Sequence, residues 1–298
     1  MVRKFNSPSL DLAQTDPGLG ILRLAALFAD ADAKLERETL DAMFEQVEAG
    51  VLAGAAPANM WPELVRGLMA PAPSRMIQAL RECGALAVVL PEVAALSGVP
   101  QIADDPVGVD LGDHVLKALD EAARRGAPLA ARFALLVMNV GKADSPPEHL
   151  PAHYRHIERG RPRIEAICDR FATPQACREL ALLALAECER VHRVSEVRAG
   201  PVAVMLERLG AFDAPDLFDL LMIVCSCDYR AYGGRSEHDY PKAALLQTAL
   251  EACSRADTTT IDPGLGADQA LGALQTARAE AIARTFRSQR WSGGSTEP

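Results

Sequence analysis

An imidazole can act as a base near neutral pH or ligate a metal through either ring nitrogen. The chain places such groups at His114, His153, His156 and His192. Asp228 stands in "CSCDYRAYGG", on an otherwise apolar helix, where an unpaired carboxylate would be costly and a partner is therefore expected. His153 and His156 lie in "HYRHIERGRPR", residues 153–163, beside Arg155, Arg159, Arg161 and Arg163. That combination suits a phosphate or metal site, and it equally suits a solvated helix end. Three other pairs carry less. Cys225 and Cys227 spell C-x-C with no second cluster and read as buried reduced thiols rather than a zinc site. Asp30 and Asp32 spell D-x-D within a helical stretch and read as a solvated face. His238 and Asp239 form a literal His-Asp pair, but in the polar loop "GGRSEHDYPKA".

The elements that would position these groups are helical. Hydrophobic residues make up 49% of the 298-residue chain and aromatics 5%, with Ala, Leu, Glu and Arg abundant, a mix that favours helices. From Ile21 onward apolar residues recur at helical spacing, broken by Pro and Gly. Helices are expected near 113–125, 128–140, 156–171, 174–190, 201–210, 213–231, 240–254 and 264–288. "FALLVMNVGK", residues 133–142, reads as a buried helix that stops at Gly141, with Met138 and Asn139 just before the stop. No run alternates at period two, and residues 97–113 form the longest loop-like stretch. The expected fold is all-α, an elongated helical array. The loop-like stretch would separate a domain over 16–100 from one over 101–255, with an N-terminal segment at 1–15 and a C-terminal helix and disordered tail over 256–298.

Lys and Arg total 31 against 40 Asp and Glu, and the resulting net charge of −9 argues against indiscriminate nucleic-acid binding. The segment 153–163 and the Arg-rich "ARAEAIARTFRSQRW" reverse that balance locally. No window offers the roughly 18 uncharged apolar residues of a membrane span, and the first residues lack a signal peptide's apolar run. A soluble, cytoplasmic protein is expected.

The order of these features resembles the C-terminal part of bacterial CCA-adding tRNA nucleotidyltransferases and poly(A) polymerases. "DPGLGILRLAALFA", "PANMWPELVRGLMAPAPSRMIQALRECGALAVVLPEVAALSGVPQ" and "LERLGAFDAPDLFDLLMIVCSCD" follow in the family's order, from neck and body helices into an HD-type domain. The resemblance implies that a nucleotidyltransferase head precedes the neck, and the sequence begins about where such a head would end. Without paired carboxylates no residue pair here would hold the two metals of phosphoryl transfer.

The departures from the family pattern are as informative as the matches. The neck's base-reading Glu-Asp-x-x-Arg corresponds to Thr15, Asp16, Pro17, Gly18 and Leu19, so only the Asp is kept. A second motif places a Glu-Arg pair at Ala58 and Asn59 and keeps only Glu63. The HD site would gather His114, a central His-Asp pair and Asp228 around a divalent cation, yet the central positions hold Met138 and Asn139. A thioether and a neutral amide serve a hard cation poorly. Further family histidines correspond to His153, His156 and His192, and one more to Cys188.

The expected function is RNA binding, most plausibly of tRNA, in an accessory role without autonomous nucleotidyl transfer and without a cofactor. Two alternatives follow from the same residues. One is a phosphohydrolase acting on a phosphomonoester or 2′,3′-cyclic phosphate, with a divalent metal at His114 and Asp228. The other is a protein partner for a separate nucleotidyltransferase subunit.

Overall fold

Fourteen α-helices and one two-stranded ribbon are found among the described residues, which in this computed structural model are 17–30, 35–102, 108–194, 198–259 and 261–286. The mostly α architecture expected from composition is therefore observed. No helix of the described residues is long and apolar enough to cross a membrane. Thr15, Asp16 and Asp32 lie outside the described residues, as does the expected C-terminal tail.

The helices form two packing units. One comprises the residues up to Ala186 together with Cys227–His238, and the other Glu187–Ser226 with the residues from Asp239. These are divisions of packing, and the segments 16–100 and 101–255 remain a proposal about ancestry.

The first unit begins with α1 (Pro17–Phe28), α2 (Arg37–Glu48), α3 (Pro57–Leu68) and α4 (Pro73–Glu82), followed by the short α5 (Ala85–Val89) and α6 (Pro91–Ala94). Proline opens α3 and α4 at a first-turn position, where its missing N–H leaves no bond unmade. Ile21 and Leu22 of α1 are fully buried, and α1 packs against α3 and α4. Gly84, at φ 77°, provides the left-handed turn that ends α4.

The stretch expected to be a loop contains the ribbon. β1 (Pro100–Ile102) pairs antiparallel with β2 (Gly108–Asp110), with Gln101 opposite Val109. Helix α7 (Leu111–Arg124) follows directly. Its cap is Asp110, whose side chain accepts a hydrogen bond from the Asp113 N–H at 2.9 Å, and the Leu111 N–H bonds to Val99 O at 2.8 Å. Ribbon and cap together fix the first turn of α7, which carries His114.

Helix α8 (Leu129–Val137) packs against α7 and is buried along almost its whole length. Arg132 is the polar exception, and it donates to Leu68 O, Ala70 O and Ala127 O at 2.8–3.0 Å, satisfying carbonyls at the end of α3. After Val137 comes a single 3-10 turn, Val140–Lys142, instead of the expected further helix to 140. Helix α9 (His156–Phe171) then crosses that turn at very close range. A Cβ on Gly141 would lie 2.1 Å from His156 O and 2.6 Å from Gly160 N, so the crossing requires glycine at 141. Trp61 joins α3 to this core, edge-on to Phe133 at 5.6 Å and tilted against Phe171 at 6.4 Å.

The division between the units falls within α10 (Gln175–His192) and α12 (Pro215–Arg230). In the second unit α11 (Ala199–Arg208) packs against α13 (Pro241–Ser254) and α14 (Ala267–Phe286), which also pack on each other. Buried Glu187 accepts hydrogen bonds from Arg190 and Arg208, both at 2.8 Å. Glu207 is held by Gln275 at 2.7 Å and Arg278 at 2.5 Å. All seven cysteines are buried, as expected, and no disulfide joins any two of them.

Candidate functional site

His114 and Asp228 meet in the interior of the first unit. His114 Nε2 lies 2.9 Å from Asp228 Oδ1, and the two residues are only 3% and 6% exposed. An ionised carboxylate can only accept, so this bond requires the tautomer that carries its proton on Nε2. The surroundings are apolar enough to push the neighbouring Cys227 thiol up to about 11, chiefly through burial. Asp228 therefore has the partner its buried position demanded.

The loop after α12 covers this pair. The Tyr232 ring lies 4.3 Å from the His114 ring, centroid to centroid, and the Arg235 guanidinium sits over both Tyr232 and Tyr229. Ser236 fastens the loop to the end of α7: its hydroxyl donates to Glu121 at 2.7 Å, and its carbonyl accepts from Arg125 at 3.1 Å. Arg124 adds a bond to Glu237 at 2.8 Å and holds that carboxyl below its ordinary range. His238 and Asp239 are exposed, in keeping with a surface loop.

Met138 and Asn139 sit at the end of α8, both buried. Neither a thioether nor a neutral amide suits a hard divalent cation.

The basic segment is placed differently from its expected role. His153 is 1% exposed, with Nδ1 2.8 Å from Ser145 Oγ and Nε2 2.8 Å from Pro100 O, so neither ring nitrogen is left for a phosphate. Arg159 spends its donors on Gly141 O, Tyr154 O and Ser145 Oγ at 2.8–3.0 Å. Arg163 contacts Asp144 and Val140 O, and His156 Nδ1 lies 3.1 Å from His153 O. These four hold the α9 turn together. Arg155 and Arg161 point outward, with Glu158 and Glu165 as their neighbours. His192 belongs to the second unit, where Nδ1 lies 2.8 Å from the Tyr240 hydroxyl and Nε2 lies 3.4 Å from Cys188 Sγ. His153 and His192 are thus each engaged through both ring nitrogens within the fold. An imidazole among arginines reads as surface, and nothing local marks its burial.

At the neck positions Leu19 is buried, whereas Ala58 and Asn59 are exposed on α3. Glu63 is buried and paired with Arg23 and Arg66, each at 3.1 Å. Arg23 stands one helical turn after Leu19. Nothing local in the sequence links it to Glu63, 40 residues further on.

Residues 33–96 match the family described as "Probable RNA and SrmB- binding site of polymerase A". The chain is also 41% identical to the Multifunctional CCA protein of Cupriavidus necator over 267 residues, 89% of this chain and 64% of that protein. It matches the C-terminal region of the CCA-adding and poly(A) polymerase family. The Multifunctional CCA proteins of Burkholderia cenocepacia and Halorhodospira halophila are likewise 41% identical, over 90% of this chain and 65% of each. The matches thus span just under two thirds of the relatives' own length. Within this family region Ala58, Asn59 and Glu63 fall inside the RNA-binding match, and the His114–Asp228 pair lies beyond it.

Proposed function

We propose that the described residues bind RNA, specifically folded tRNA, and do not themselves catalyse nucleotidyl transfer. The match of residues 33–96 to an RNA-binding site, on a scaffold 41% identical to Multifunctional CCA proteins, carries this reading. The substitutions at the neck positions Leu19, Ala58 and Asn59 and at the HD positions Met138 and Asn139 favour a binding role over a catalytic one. Transfer would then need residues outside those described, or a separate nucleotidyltransferase partner, and the setting would be the cytoplasm.

The test is equilibrium binding of a tRNA transcript across a salt series. Binding at low salt that weakens linearly in log–log form as salt rises is the expected result. No binding even at low salt would overturn the reading. The phosphohydrolase alternative is checked on the same sample by metal content and a 2′,3′-cyclic phosphodiesterase assay with added Mn²⁺ or Ni²⁺. A metal-free, inactive protein is expected, because the donor set at His114, Met138, Asn139 and Asp228 does not suit a hard ion.

A further inference from the structure

The turn before α9 is built to hold one side chain outward. The two non-glycine residues that flank Tyr154 adopt the left-handed region, His153 at φ 55° and Arg155 at φ 63°. Bulky residues rarely sit there, and such positions persist only where surrounding contacts over-determine them. Here the contacts are explicit. Buried His153 is bonded through both ring nitrogens, Arg159 Nη1 donates to the Tyr154 carbonyl at 2.8 Å, and His156 Nδ1 reaches His153 O. The outward product of this clamp is Tyr154, whose residue is 64% exposed. Among the ring contacts of the described residues, its ring meets the His149 ring at 5.6 Å and 85°, and most of the residue is open to solvent. Arg155 stands beside it with a side chain 72% exposed, and only its Nε is engaged, by Glu158.

We infer that Tyr154 and Arg155 form a subsite for an unpaired nucleotide of the bound RNA, with the base stacked on the Tyr154 ring and a phosphate on the Arg155 guanidinium. The inference rests on the RNA-binding reading above and adds the position and the single-stranded character of one contact. A flat, rigidly presented ring suits a base irrespective of its identity, since every base has a π-face, while an adjoining guanidinium supplies charge without sequence readout. A paired stem would not expose such a face, so an unpaired nucleotide is what fits, and the 3′ strand is the source the two probes test.

Three variants test this on the full chain, with two probes: a tRNA transcript with its unpaired 3′ nucleotides and the same transcript trimmed of them. Tyr154→Ala is expected to bind the untrimmed transcript about tenfold more weakly than the native chain. It should match the native chain on the trimmed one, and Tyr154→Phe should match it on both. Arg155→Gly suits the φ of 63° and so keeps the turn. It should lower the slope of log affinity against log salt by about 0.7, the value for one single-strand phosphate contact. Melting temperatures equal to the native value establish that each variant is folded. Unchanged binding of both probes by Tyr154→Ala overturns the subsite while leaving RNA binding in place. An equal loss on both probes overturns the 3′ strand as the bound segment. Failure of the native chain to bind either transcript overturns both readings together.

Discussion

Replacing Gly141 with alanine should be among the most damaging single-methyl additions in the first unit. A Cβ there would sit 2.1 Å from the His156 carbonyl oxygen, where ordinary contact begins at 3.4 Å, so α9 would have to retreat by about 1.3 Å. Gly160 N and Cα, at 2.6 and 2.7 Å, block the other escape. All three obstacles are backbone atoms, and no side-chain rotation relieves them. Extra methylenes in a packed core cost about 1–3 kcal/mol when neighbours can adjust; with only backbone to move, the expected cost is about 3 kcal/mol or more. A retreat of α9 would also loosen the Phe171 contact with Trp61. Trp61 and Trp291 are the two tryptophans, so a Trp291→Phe background makes fluorescence a local reporter of this core. Equilibrium urea denaturation in that background gives the comparison. Gly272, in the exposed face of α14 with open space around it, is the control, and its change to alanine should stabilise by about 1 kcal/mol. A Gly141→Ala protein within 1 kcal/mol of the native chain would refute the close crossing of the 140–142 turn and α9.

Other perturbations address the polar interior. Asp228→Ala leaves the His114 Nε2 proton buried without its acceptor and should cost about 1–3 kcal/mol, whereas Asp228→Asn, which keeps an oxygen, should cost less; thermal melts of the two variants check the order. The double change Met138→His with Asn139→Asp restores hard-cation ligands, and it is expected to bind Mn²⁺ measurably in calorimetry where the native chain does not. Asp120 is pushed above the ordinary carboxylate range mainly by burial, and its Oδ1 accepts the Ser74 N–H at 3.1 Å. A raised acid pKa contributes stability that is complete below the unfolded value and is lost as pH rises through the folded one. Asp120→Asn keeps an acceptor and removes the charge, so its stability relative to the native chain should increase across that window, as read from melts taken in steps upward from pH 3.

The sequence revealed helices far better than polar partners. The segment 156–171 was legible to the residue because apolar positions recur at helical spacing between clear breaks, and α9 has those bounds. The overshoot at 128–140 has a steric cause: α9 passes so close at Gly141 that the chain tightens into a single 3-10 turn, a constraint imposed by residues far along the sequence. The ribbon at 100–110 was invisible because three-residue strands are too short to establish a period of two.

Side-chain partners are less legible than helices, for a physical reason. His153 reads as a surface imidazole among arginines until Pro100 O, 53 residues earlier, takes its Nε2. Local composition can say that a buried polar atom must be satisfied, but the identity of its partner is set by which distant backbone the fold delivers. Asp228 illustrates the same rule, since the demand for a partner came from its apolar helix and the answer came from a helix 114 residues away. Neither residue could reveal the cost of its loss alone: a carboxylate and an imidazole placed in an apolar interior satisfy each other, and the 2.9 Å bond between them is that settlement.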